Sequence, residues 1–289
     1  MQERRRKCDA RLTAKNDFFY NFAVRMKLKF LSLGSGSSGN SYLLSDGRTS
    51  LLIDAGIGIR TMKSTLWRYG HALNNIHALL LTHDHGDHAR TAGKLATRHK
   101  IPVYATHSTF QGIDNNPVIH PKVPYELRRE VAVGNEFTLG AFTICVQQVS
   151  HDSWDCVSYT LSHEGRRFVI ITDCGKLTEE LCQEISQADY LVLESNHDEE
   201  MLRAGRYPEM LKRRILSPRG HLSNAACAQA LSDYLSERCQ HVWLCHLSRD
   251  NNRPEIAYSC AASALERFPD VQLTVLNRTE PMLFELDTE

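Results

Sequence analysis

The sequence contains no Cys-x-x-Cys pair, although nine cysteines are scattered through its 289 residues. An odd count at irregular spacing is not the framework of a disulfide-stapled secreted module, so a cytoplasmic protein with reduced thiols is expected. No apolar run approaches the ~20 residues a membrane span needs, and residues 1–25 hold neither a signal-peptide core nor a small-residue cleavage site. Net charge is missing too, because 34 Lys and Arg balance 34 Asp and Glu. That excludes a surface coated in positive charge, and any polyanion has to be held locally. Low-complexity tracts, interdomain linkers and internal repeats of about 20–50 residues are also absent, which excludes solenoids and propellers.

The composition that is present, 42% hydrophobic and 24% charged, is ordinary for a soluble domain. A chain of 289 residues can bury a core without crosslinks. Residues 1–25 stand apart, with seven basic side chains against three acidic ones. This segment reads as a solvated, disordered extension ahead of a start at Met26, with a basic nucleic-acid arm as the competing reading. Residues 26–289 read as one domain. Strands are expected over Lys27–Leu33, Ser41–Leu44, Thr49–Asp54 and Ala78–Thr82, then a helix Asp87–Lys100, a strand Pro102–Ala105 and a Pro/Asn loop from Asp114 to Arg129. Strands at Glu136–Leu139, Phe142–Val149, Val157–Ser162 and Phe168–Thr172 follow. Helix and strand then alternate through Thr178–Gln187, Tyr190–Leu193, a helical pair near Glu199–Leu216, Asn224–Arg238, Val242–Cys245, Pro254–Phe268 and Gln272–Leu276. The pattern predicts an α/β fold, a four-layer αββα sandwich.

Histidine is the abundant residue, with 14 in the chain. His83, His85, Asp87 and His88 fall within six residues, directly after a Leu-rich buried strand and at the start of a helix. Imidazoles and a carboxylate suit Zn²⁺, Mn²⁺ or Fe²⁺. In an extended turn His83 and His85 point the same way, whereas Asp87 and His88 turn toward a neighbouring point as the helix begins. One short segment can thus supply two adjacent metals. Four more strands end in a metal-competent or acid–base residue, at His151, Asp173, Glu194 and His246. Carboxyl ends of strands converge on one sheet edge, where α/β folds keep their sites.

His83-x-His85-x-Asp87-His88, with His151, Asp173 and His246, resembles the five-motif signature of the metallo-β-lactamase-fold hydrolases, from about Met26 to the end of the chain. The segments Leu33–Ser41, Asp54–Gly56, Glu194–Asp198, Gly220–Asn224 and His246–Asn252 are similar to the WalJ/YycJ-type bacterial proteins. That resemblance implies a metal-dependent exonuclease acting 5′ to 3′ on double-stranded DNA, with a mismatch-repair role. It also implies two divalent metal ions, Zn²⁺ or Mn²⁺: His83, His85 and His151 on the first, Asp87, His88 and His246 on the second, and Asp173 between them. A hydroxide held by the metals would be the nucleophile, oriented by Asp87. Glu194 and His221 resemble the acid pair of tRNase Z-type ribonucleases and would protonate the leaving group.

Ser223, Asn224 and the amides that follow are placed to receive a phosphate. Arg213 and Arg214, in the basic cluster before His221, are placed to track the DNA backbone, and Asn251, beside the last ligand, to touch substrate. The separation of His151 from Asp173 is too short for the tRNA-gripping arm of bacterial tRNase Z enzymes, and that of Asp173 from His246 leaves no room for an inserted domain. A glyoxalase-II-like thioesterase would share the ligands but has no use for a Glu194–His221 pair. A small phosphodiester or nucleotide-like substrate, or RNA, stays open as the alternative substrate.

Overall fold

The computed structural model describes residues 27–287; the expected extension 1–25 lies outside them. Two mixed seven-stranded sheets pack face to face. The first runs in the order β14 (Met282–Leu286), β1 (Leu28–Gly34), β2 (Ser41–Ser45), β3 (Ser50–Ile53), β4 (Ala78–Leu80), β5 (Val103–Ala105), β6 (Arg128–Glu130). The second runs β13 (Gln272–Val275), β12 (His241–Cys245), β11 (Tyr190–Glu194), β10 (Arg166–Ile171), β9 (Val157–His163), β8 (Phe142–Gln148), β7 (Glu136–Leu139).

The period of two along each strand divides its apolar residues between two layers. In β1, Phe30 faces the other sheet, while Leu31 and Leu33 face outward onto helices α1 (Ile59–Arg68), α3 (Ala92–His99) and α4 (His107–Asn115). In β11, Tyr190 and Val192 face inward, while Leu191 and Leu193 meet α5 (Glu179–Gln187), α8 (Asn224–Tyr234) and α9 (Pro254–Ala264). The result is the αββα sandwich that the sequence pattern predicts. Among the described residues no helix is long and apolar enough to cross a membrane.

The expected helix Asp87–Lys100 is two helices, α2 (Gly86–Ala89) and α3. Thr91 breaks it because its amide donates to Ala55 O at 2.9 Å instead of to the preceding turn. The Asp87 and His88 carbonyls are likewise taken from outside, by the amides of Asn40 (2.7 Å) and Ala55 (2.6 Å). The expected Asp114–Arg129 loop also needs correcting, since it contains the end of α4, a 3₁₀ turn at Tyr125–Leu127 and the start of β6. Helices α1 and α4 and strand β14 escape the sequence reading. Strand β14 gains its place by antiparallel pairing with β1.

His241 gives the fold a titratable core element. Its ring stacks on Trp243 at 4.0 Å, its Nε2 hydrogen-bonds Thr274 Oγ1 at 2.8 Å, and burial lowers its pKa from 6.5 to about 4. Between those pH values the unfolded chain binds more protons than the folded one. This contribution to stability is therefore complete above pH 6.5 and lost as the pH falls toward about 4. The loss is about 3 kcal/mol at most. Urea titrations across this window should show a shallower acid limb in His241→Phe than in wild type.

Candidate metal centre

Every residue of the His83–His88 motif, with His151, Asp173, Glu194, His221 and His246, lies along one edge of the sandwich. His83 follows β4, Asp173 follows β10, Glu194 ends β11 and His246 follows β12. Their strands pair in parallel, β3 with β4 and β10 through β12, so their carboxyl ends emerge together. Asp54, Asp173 and His246 each adopt a left-handed backbone, with φ of 60°, 52° and 55°. That conformation costs energy outside glycine, and here it turns each strand end sharply into the site.

The imidazoles of His83, His85 and His151 form a near-equilateral triangle, with ring centroids 4.6, 5.1 and 5.1 Å apart. Thr82 Oγ1 sits 2.9 Å from His83 Nδ1, and His151 Nδ1 donates to Gly220 O at 3.0 Å. The Nε2 atoms of His83 and His151 are thereby left buried without a hydrogen-bond partner among the described residues. Burial lowers the pKa of both rings, which favours the neutral, ligating form.

A second group joins Asp87, His88 and His246. His88 Nδ1 donates to Asp54 Oδ2 at 2.7 Å, and its Nε2 lies 3.0 Å from Asp173 Oδ2. His246 Nδ1 donates to Glu194 Oε1 at 2.9 Å, leaving another unpartnered Nε2, 3.5 Å from Asp87 Oδ2. Burial raises the pKa of Asp87, but the nearby His246 and His88 imidazoles outweigh it and hold the carboxyl at about 2. Asp173 stands between the groups, its Oδ2 on His88 and its Oδ1 3.8 Å from His151 Nε2 and 3.4 Å from His246 Nδ1. Orphaned imidazole nitrogens beside ionised carboxylates are the donor set of a divalent cation, so the residues fit the group.

Glu194 and His221 also lie within ligating distance of Asp173 and His246, but the environment of Glu194 makes it an anchor. It is fully buried, with Oε2 accepting from the amides of Cys174 (2.7 Å) and Leu222 (3.2 Å). Its Oε1 accepts from Nδ1 of both His221 (2.8 Å) and His246 (2.9 Å). Burial pushes this carboxyl up, yet the two imidazoles prevail and hold its pKa at about 2. A link from Glu194 to His246 is something the spacing in sequence does not disclose.

The cleft over the site has a volume of about 230 Å³ and is lined by His85, Asp87, Asp173, His221 and His246, with Tyr207 and Arg214 beside them. A larger cavity of about 550 Å³, around Lys29, Arg48, His71 and His77, lies at the opposite ends of the same strands, away from this chemistry.

The residues expected to touch substrate are placed as follows. Asn224 is buried and engaged with Ser195 and Asn252, and Ser223 caps α8 through the Ala226 amide. Asn251 is buried, and none of the three lines the cleft. The same is true of Arg213, because α7 (Glu209–Ile215) turns Leu211, Arg214 and Ile215 toward the cleft instead.

Residues that sequence reasoning missed include Asp54, Asn40 and Asp152. Asn40 Nδ2 lies 2.9 Å from His88 Nε2, the nitrogen left to a cation, and Asp54 holds the other side of that ring. Asp54 had a signal, since it too ends a strand. Asp152 is held by Arg214 Nε, and its buried Oδ1, without a hydrogen-bond partner, lies 3.3 Å from His151 Nε2 and 3.6 Å from His85 Nε2. A carboxylate oxygen facing the same point as those nitrogens adds to the donor set. Asp152→Ala should weaken metal retention by about 10–100-fold. Competition with a chromogenic chelator would check this.

A profile of the beta-lactamase superfamily domain matches residues 49–246. The chain belongs to the metallo-β-lactamase superfamily. Within it, the chain is 35% identical over 241 residues to exodeoxyribonuclease YycJ of Bacillus anthracis, covering 83% of this chain and 90% of that protein. It is equally 35% identical to exodeoxyribonuclease WalJ of Streptococcus pneumoniae serotype 2, covering 82% and 88%. In fold, the superfamily member is similar to the zinc-bound PqqB of Methylobacterium extorquens, with a TM-score of 0.67 and 21% identity over 88% of this chain and 99% of that one. YhfI of Bacillus subtilis gives a TM-score of 0.66 at 18% identity, again over 88% and 99%. The metallo-β-lactamase-fold chain is a metal-dependent hydrolase with homology to the YycJ/WalJ exonucleases.

Proposed function

We propose that this hydrolase is a dinuclear phosphodiesterase that digests double-stranded DNA as a 5′-to-3′ exonuclease, in support of mismatch repair. The observation that carries the reading is Asp173, set between the two ligand groups with Oδ2 on His88 and Oδ1 within 3.8 Å of both His151 and His246, beside a Glu194–His221 pair suited to a poor leaving group. Relatives at 35% identity that are named exodeoxyribonucleases support DNA as the substrate class.

His83, His85 and His151 would hold one cation, and Asp87, His88 and His246 the other, with Asp173 shared. Zn²⁺ and Mn²⁺ both suit these donors. When bound, such cations supply Lewis acidity and a nucleophile available near neutral pH. Asp87 accepts a proton or orients the attacking group from the cleft side. Glu194 accepts from His221 Nδ1 and its charge favours the imidazolium, whose Nε2–H would give the proton to the departing alkoxide. Arg214 offers positive charge at the mouth of the cleft.

The deciding experiment incubates Mn²⁺-loaded and Zn²⁺-loaded protein with duplex DNA labelled at the 5′ or the 3′ end, alongside Asp87→Ala. Early release of the 5′ label as mononucleotide, abolished in the variant, is the expected result. Intact DNA together with hydrolysis of RNA or of a small phosphodiester would overturn the substrate while leaving the hydrolase.

A further inference from the structure

A body with 27 basic against 31 acidic side chains in residues 26–289 has to grip a polyanion locally, and Arg214 is partly committed to Asp152. Next to the cleft lies a second cavity of about 510 Å³, within the range of about 300–1,000 Å³ typical of small-ligand sites. The two are neighbours by construction, since Ser37 lines both. Residues 246–249 alternate between them, with His246 and Ser248 on the cleft and Leu247 and Arg249 on the second cavity. The partition is therefore one chain segment thick.

Its chemistry is one-sided. Arg249 and Arg278 supply two guanidiniums, Ser37, Ser38 and Thr279 supply hydroxyls, and among the described residues no carboxylate lines it. Leu247, Pro254, Val275 and Leu276 form an apolar side. Arg278 is set in place by donation from Nη1 to Ser248 O at 3.2 Å, and its stem lies against the Gly/Ser loop, where a Cβ on Gly36 would stand 3.0 Å from Arg278 Cγ. The loop is itself pinned, with Gly36 N donating to Asn40 Oδ1 at 2.8 Å and Gly39 N to Gly36 O at 2.9 Å. Its Ser37 and Ser38 are left exposed at the junction of the two cavities.

We propose that this second cavity is a nucleotide subsite, in which Arg249, Arg278 and the Ser37–Ser38 loop hold the phosphate next to the scissile one while the apolar wall receives the sugar or base. The inference rests on the DNA reading above and gives it a local grip. A cavity of this size takes one nucleotide of one strand and not a duplex, so the terminal nucleotide leaves its pair before cleavage.

The test uses the full chain, loaded with Mn²⁺, on a 5′-phosphorylated duplex, comparing wild type with Arg249→Glu and Arg278→Gln across a salt series. Arg249 is exposed, so its substitution does not threaten folding. The expected result is a KM raised about tenfold with kcat within about threefold, and a salt dependence of log KM shallower by about one per arginine. If wild type digests DNA and both variants keep its KM and salt slope, the subsite is wrong and the DNA reading survives. If wild type leaves DNA intact, both fall together.

Discussion

Replacing His221 with alanine should lower kcat on DNA by about 10²–10⁴-fold while the protein keeps its metal. The separation of these effects follows from the hydrogen bonds. His221 stands outside the His83–His85–His151 triangle, and its Nδ1 is committed to Glu194 at 2.8 Å. Glu194→Gln should behave differently. That carboxylate also orients His246 through Oε1 at 2.9 Å and takes two backbone amides on Oε2. A glutamine there points at least one donor toward another donor, so the variant should lose both the acid and part of its metal. Single-turnover kinetics beside metal content by mass spectrometry distinguish the cases. If His221→Ala loses as much metal as His246→Ala, His221 is a ligand and the acid pair is wrong.

Gly56→Ala should destabilise the fold by about 4 kcal/mol or more, at the severe end for point substitutions. A Cβ on Gly56 would stand 1.6 Å from the Asp87 carbonyl oxygen and 2.9 Å from the Asn40 amide. Both neighbours are backbone, so no rotamer change relieves the overlap, and the β3 end has to part from α2. That separation breaks Asn40 N to Asp87 O and Ala55 N to His88 O, each worth roughly 0.5–1.5 kcal/mol. Asp87 and His88 move with their carbonyls, so metal retention should drop along with stability. A urea midpoint unchanged from wild type, with full metal content, would show that the contact is not structural.

The layers of the fold and the residues of the centre were legible in the sequence for one reason. Buried parallel strands run nearly continuously apolar, and a histidine or carboxylate directly after such a run is conspicuous. His83, Asp173, Glu194 and His246 all announce themselves this way. What stayed hidden depends on contacts between segments distant in sequence. The break after α2 follows from Ala55 and Asn40 taking helix carbonyls, and no local propensity at Arg90 or Thr91 reports that. Asn224 and Asn251 sit beside sequence landmarks of the site, yet Asn224 is tied to Ser195 and Asn252 and both are buried. Proximity along the chain does not by itself place a side chain in the lining of the cleft. Asp152 was passed over because it follows a more conspicuous histidine.

The motif His83–His88 hangs from the first sheet, whereas His151, Asp173 and His246 hang from the second. A cation held by both sets is thus a rivet across the seam of the sandwich. Its occupancy tightens the whole body and not a single loop, and anything that binds only the folded state raises the melting temperature with concentration. Chelation should therefore lower the calorimetric midpoint and loosen amide protection along β4, β10 and β12 together. In a cell short of metal, the same molecules would become the first candidates for proteolysis, so the supply of the ion would govern how much of the enzyme persists as well as how fast it works.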